Sequence, residues 1–208
     1  MVVNKKDAAA GLASAVALIS GAQVANAADP EVGTDWSGIY AGVAVGVMDG
    51  DAPMQMNDYQ LSNDVVLGGF IGLNHQLDNG LVVGAELALS VPTGNAGEGG
   101  SASDPDDYEI GPIADAKFKL GSDFGGGDLL VYGFAGISGG WGLTNYDQSA
   151  DYSWFGGNFG LGADWRLTES VSLGAEVIAR VPVDAYGWTS DPNPDPFYAG
   201  SLRLSFQF

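Results

Sequence analysis

Five residues, Gly136 to Gly140 (GISGG), match the G-x-S-x-G pattern that presents a serine nucleophile, with Ser138 in the reacting position. That pattern does its chemistry only at a sharp strand-to-helix turn, and no helical periodicity follows it here. The single histidine, His75, falls towards the opposite end of another strand, out of the hydrogen-bond reach a general base needs. A second stretch, DGDAPMQMND from Asp49 to Asp58, opens with two acids of a calcium loop. Pro53 and Met54 then stand where an EF-hand needs a ligand and a glycine. No enzymatic activity, resident metal or cofactor is expected. The charged residues inside the strands carry more information: Glu86, Asp115, Lys117, Lys119, Asp164, Arg166, Glu176, Arg180 and Arg203.

The elements that hold these residues are strands. Alternation of apolar with small or polar residues, the period-2 signature, recurs over 38–48, 65–77, 81–92, 108–120, 129–143, 154–168, 170–184 and 197–208. These runs exceed the usual strand of about five or six residues and reach the roughly 9–11 that a tilted strand needs to cross a bilayer. Strands two and three are joined by Asp78-Asn79-Gly80, where Asn-Gly readily takes the positive φ angles of a type I′ turn. Strands six and seven are joined around Thr168 to Ser170, and four and five through Gly121 to Asp128. The other connections are mostly long, acidic and rich in turn residues. The pattern predicts an eight-stranded antiparallel up-and-down transmembrane β-barrel, with short turns at one end and long loops at the other.

Alternation alone does not say which face meets water, because a soluble barrel and a membrane barrel share it inside out. The residue types decide. Strand seven puts Val171, Leu173, Ala175, Val177, Ala179, Val181 and Val183 on one face, and Ser172, Gly174, Glu176 and Arg180 on the other. Strand three separates Leu81, Val83, Leu87 and Leu89 from Glu86, and strand four Phe118 and Leu120 from Asp115, Lys117 and Lys119. All the basic residues of the strands lie on the sparse polar face, as expected of a narrow lumen. Arg or Lys facing lipid at mid-depth costs roughly 2–4 kcal/mol. Arg180 and Arg203 are expected near mid-height with Glu86 and Glu176, making at least one Arg–Glu contact in a charge-paired plug. Trp and Tyr gather at membrane interfaces. One girdle is predicted at the short-turn end (Trp36, Phe124, Trp165, Phe206, Phe208) and one at the long-loop end (Trp141, Tyr146, Tyr152, Trp154, Tyr186, Trp188, Phe197, Tyr198).

The N-terminus fits export. A basic start at Lys5 and Lys6, a weakly apolar stretch and Ala25-Asn26-Ala27 make residues 1–27 a cleaved signal peptide, leaving 28–208 as the barrel. The chain has 208 residues, seven basic and 26 acidic, a net charge of −19. Cleavage removes two of the bases and one of the acids, for a net of −20, which excludes nucleic acid as a partner. There is no cysteine, so neither a disulfide framework nor thiolate metal ligation is available. Ten aspartates (Asp49, Asp51, Asp58, Asp104, Asp106, Asp107, Asp147, Asp151, Asp191 and Asp195) decorate the outer loops, which carry no Lys or Arg. Such oxygen ligands could bridge divalent cations to lipopolysaccharide phosphates.

The stretch DWSGIYAGVAVGV (Asp35 to Val47), then GGFIGLNHQL and a terminal RLSFQF, resembles the small outer-membrane porin-like barrels of alphaproteobacteria. These are related to opacity-type surface proteins and the transmembrane domain of outer membrane protein A. The resemblance implies localisation in the outer membrane of a Gram-negative bacterium, among its lipid and lipopolysaccharide. It also implies that the last strand, with Phe206 and Phe208, is read by the barrel-assembly machinery. The expected role is structural: a plugged, surface-exposed barrel presenting acidic loops and contributing to envelope integrity. An adhesin or partner-binding protein and a narrow ion or solute channel are the alternatives.

Overall fold

The computed structural model describes residues 35–50, 59–60, 64–93, 95–98, 108–144, 151–186 and 196–208. Residues 1–34, with the expected signal peptide, and most of the outer loops lie outside the described residues. Eight long strands form the barrel: β1 Gly38–Gly50, β2 Asp64–Gln76, β3 Leu81–Pro92, β4 Tyr108–Phe124, β5 Leu129–Thr144, β6 Asp151–Arg166, β7 Val171–Tyr186 and β8 Phe197–Gln207. Each pairs antiparallel with its chain neighbour, and β1 pairs with β8 from Tyr40↔Gln207 to Gly50↔Phe197, closing the sheet. The predicted eight-stranded antiparallel barrel is the fold. Closure leaves no unpaired edge, as a bilayer requires. Two short strands, Tyr59–Gln60 and Asn95–Glu98, pair with each other beyond the outer ends, and the second also joins β4.

Strand ends differ from the sequence reading where glycines suggest a turn. β4 continues through Gly121 and Asp123 to Phe124, pairing with β5, and only Gly125 to Gly127 adopt positive φ. β5 and β6 run further outward than alternation suggested, from Leu143↔Asp151. The tight turn at Asp78-Asn79-Gly80 forms, but not as the expected type I′ turn centred on Asn79-Gly80: Gly80 has φ 79° and its N–H donates to the Leu77 carbonyl at 2.9 Å, so Asp78 and Asn79 are the central residues and Gly80 follows them in the left-handed region. Two prolines interrupt strands, and both sit at register shifts. Pro112 lies within the shift between Ile110 and Ile113, and Pro182 beside the one at Phe155/Gly156. A residue without an N–H is tolerated at such bulges, which favour barrel rims.

The faces sort as predicted on β3, β4, β7 and β8. Leu87, Phe118, Val177 and Leu202 are exposed on the outside, whereas Glu86, Lys117, Glu176 and Arg203 are buried inside. In a membrane barrel the exposed apolar wall is the lipid face. The girdles need correction. Phe124, Trp165, Phe206, Phe208, Trp141 and Tyr198 do face outward, but Trp36, Trp154 and Phe197 are buried in the interior. Tyr146 and Trp188 lie outside the described residues.

These inward aromatics make the interior layered. Trp36 packs with Val82 and Leu130 at the short-turn end, its indole N–H donating to the Gly127 carbonyl at 3.0 Å. Trp154 and Phe197 meet edge to face, with centroids 5.2 Å apart, at the long-loop end. The fully buried charged residues lie between these two apolar layers.

Candidate functional site

Four strands bring Glu86 (β3), Lys117 and Lys119 (β4), Glu176 (β7) and Arg203 (β8) to one level of the lumen. Arg203 spans both glutamates. Its Nη2 donates to Glu86 Oε2 at 2.5 Å, and its Nη1 donates to Glu86 Oε1 at 3.1 Å and also to Glu176 Oε2. Lys117 Nζ joins the same two acids, at 2.5 Å from Glu176 and 3.3 Å from Glu86. Lys119 Nζ is 3.4 Å from Glu86. Tyr40 and Tyr132 supply the remaining donors, Tyr40 Oη to Glu86 at 2.8 Å and Tyr132 Oη to Glu176 at 3.3 Å. Every carboxylate oxygen of the two glutamates is thus engaged, the condition under which a dry charge cluster is tolerated.

A second group sits on the long-loop side of the first. Arg180 holds Asp115 with two parallel bonds, Nε to Oδ1 at 3.0 Å and Nη2 to Oδ2 at 2.6 Å. Ser138 Oγ donates to Asp115 Oδ1 at 2.5 Å, and Asn158 Nδ2 donates to Ser138 Oγ at 2.8 Å. So Arg203 makes the expected Arg–Glu contacts, whereas Arg180, also expected beside glutamate, pairs with an aspartate. Arg166 is set apart from both groups: half-buried at the short-turn mouth, it lies 4.2 Å from the centre of the Trp36 ring and donates to the Asp35 carbonyl. Asp164 is buried, and its Oδ1 has no hydrogen-bond partner among the described residues. It is in register with Gly174, which is in register with Arg203. Among the described residues, four buried acids then face four buried bases.

Sequence reasoning missed the aromatic part of this site. Tyr40, Phe70, Tyr132 and Phe134 all point inward, and each lies over a glycine directly opposite on the neighbouring strand, Gly72, Gly42, Gly162 and Gly160 respectively. A Cβ at Gly72 would come within 2.3 Å of the Tyr40 ring. The ring faces then cover the cations, with Arg203 3.9 Å from the Phe70 centroid and Lys119 3.8 Å from that of Tyr132, contacts worth about 2 kcal/mol or more when desolvated. The signal was present: these aromatics share the parity of the charged residues, and glycine recurs across from them.

The two groups are separated by a cavity of only about 50 Å³, room for a water or two. Ser138 faces the lumen while His75, the single histidine, is exposed on the outer wall, so the barrel wall divides them. No group of three or more His, Asp or Glu able to hold a metal occurs among the described residues. Of the ten loop aspartates only Asp49 and Asp151 fall within them.

A family model described as "Outer membrane protein beta-barrel domain" matches residues 14–195. No curated protein matches the chain. Among solved structures, the attachment invasion locus protein Ail of Yersinia pestis is similar at 13% identity and a TM-score of 0.53, over 83% of this chain and 99% of Ail. Ail has also been solved with the heparin analogue sucrose octasulfate. Neisserial surface protein A is similar at 12% identity and a TM-score of 0.50, over 83% of this chain and 98% of the other. At these identities the likeness is one of fold.

Proposed function

Since this chain belongs to the outer-membrane protein β-barrel domain family, and so resides in the outer membrane of a Gram-negative cell, we propose that it is a non-conducting structural barrel that presents acidic loops at the surface. The observation that carries this reading is the filled lumen. An ion crossing it would have to part Arg203 from Glu86 and Glu176 and pass apolar layers at Trp36 and at Trp154/Phe197. Eight strands enclose a space just wide enough for side chains to fill. The test is single-channel recording of the refolded barrel in planar bilayers. A flat current trace is expected, and discrete ohmic steps would instead support the channel.

Recognition, if the loops perform it, would differ in sign from what Ail's structure with a sulfated ligand suggests. The loops between the strands carry eight aspartates and no Lys or Arg, and would repel a polyanion.

We further assign Phe208 to recognition by the barrel-assembly machinery. Its ring is exposed at the short-turn end, and its N–H donates to the Ile39 carbonyl at 2.9 Å, across the seam of the barrel. Deleting Phe208 is expected to deplete the protein from isolated outer membranes while leaving the urea midpoint of the barrel refolded in vitro nearly unchanged. Wild-type levels in the membrane would refute the assignment.

A further inference from the structure

Two buried groups of opposite hydrogen-bonding character flank one glycine in the lumen, and neither has a protein partner. The Nε–H of Arg203 is a donor with no acceptor among the described residues, and Asp164 Oδ1 is an acceptor with no donor. Arg203 is only 2% and Asp164 only 5% exposed. Asp164 on β6 is opposite Gly174 on β7, and Gly174 is opposite Arg203 on β8. Backbones two strands apart are separated by roughly 9–10 Å, and glycine at the middle strand leaves that gap free of a side chain. The place a Cβ at Gly174 would take is occupied by Asp164 Oδ1, so the carboxylate leans over Gly174. Among the charges around it, Arg203 acts most strongly on this carboxylate and Lys119 next. Both cations nevertheless spend their own ion pairs on the glutamates.

We propose that one water molecule is held over Gly174, accepting from Arg203 Nε–H and donating to Asp164 Oδ1. The chemistry of the two groups selects water. A buried donor and a buried acceptor are both costly when unmatched, and a molecule that accepts and donates at once satisfies the two together. A metal ion or other cation would meet the Arg203 guanidinium and the Lys119 ammonium, whereas an anion would meet Asp164 and both glutamates. A proton on Asp164 would add a donor where one donor already lacks an acceptor, and would leave four buried bases against three ionised acids. Buried waters make about three hydrogen bonds, and a third partner is at hand. Ser172 and Ser205, the next inward residues on β7 and β8, are buried and opposite one another. Arg203 thereby gathers three carboxylates, two directly and the third through water. The inference goes beyond the structural reading of the barrel and holds whether or not the barrel conducts.

The test is proton NMR of the refolded barrel in detergent micelles, reading the Arg203 Nε–H against water. The expected result is a rotating-frame cross peak at the water frequency with the sign of dipolar contact, not of proton exchange, on an Nε–H resonance that Arg203→Lys removes. Asp164→Leu should abolish that cross peak by taking away the acceptor and filling its place. Asp164→Asn, which keeps an acceptor oxygen, should retain it. Absence of the cross peak in the wild type, or its survival at full intensity in Asp164→Leu, would overturn the proposal. Should Asp164→Leu fail to fold, a crystal structure of the wild type at a resolution that shows ordered waters decides. A water within hydrogen-bond reach of both Nε and Oδ1 is expected there, and a direct Nε–Oδ1 bond or an ion at that place would overturn the proposal.

Discussion

Replacing Arg203 with alanine is expected to lower the unfolding free energy of the barrel by about 3–5 kcal/mol, the usual consequence of removing one partner from a buried ion cluster. Arg203 is the only cation that donates two bonds to Glu86 and also reaches Glu176 among the described residues. Without it, four buried acids face three buried bases, and the Phe70 ring loses the guanidinium above it. Lys117 and Lys119 remain near Glu86, so the barrel should still close but unfold at lower urea or temperature. Arg203→Lys should recover only part of the loss, because an ammonium cannot reproduce the planar fork. Arg203→Met combined with Glu176→Gln should also lose less than Arg203→Ala, since the second change removes a carboxylate that the first leaves uncompensated. Unchanged melting of Arg203→Ala would show that the cluster contributes no stability.

One position earlier the same side chain should do the opposite. Leu202 is 59% exposed near the middle of β8, on the lipid side of the wall, and Leu202→Arg should cost roughly 2–4 kcal/mol in the folding equilibrium measured in lipid vesicles. In detergent, where water reaches the wall more easily, the penalty should shrink. The pair of variants tests the assignment of faces directly, since arginine is required at 203 and penalised at 202. A neutral outcome for Leu202→Arg in vesicles would mean that this face does not meet hydrocarbon.

Much of the fold was legible because strands have a strict period. Once Glu86, Lys117, Glu176 and Arg203 were seen to share a parity against Leu87, Phe118, Val177 and Leu202, both the barrel and its inside followed. The alternating loop lengths supplied the meander. What period cannot supply is which inward residues meet across a lumen. Arg180 and Arg203 look alike in sequence, but one pairs with Asp115 and the other with two glutamates. The difference arises from strand stagger, which fixes relative height. The girdles failed in part for a related reason: Trp154 and Phe197 have the right depth but inward parity, and Trp36 precedes β1, where alternation carries no information. The aromatic-over-glycine pairs were hidden because glycine signals turns and permissive backbone as readily as it signals a ring across the way.

The seam between β1 and β8 has a kinetic consequence. Gln207 donates from its side chain to the Ser37 carbonyl, a contact spanning 170 residues, and the pairing that seals the barrel joins the earliest strand to the last. Contacts this remote in sequence form late and slowly. One edge of the first strand can pair with β2 early, but its other edge cannot find its permanent neighbour until β8 has been delivered. Through all of that time it must be kept from pairing with other chains, a hazard of any strand edge left waiting. Survival of the nascent chain is thus set by escort and timing before it is set by the strength of anything inside the finished barrel.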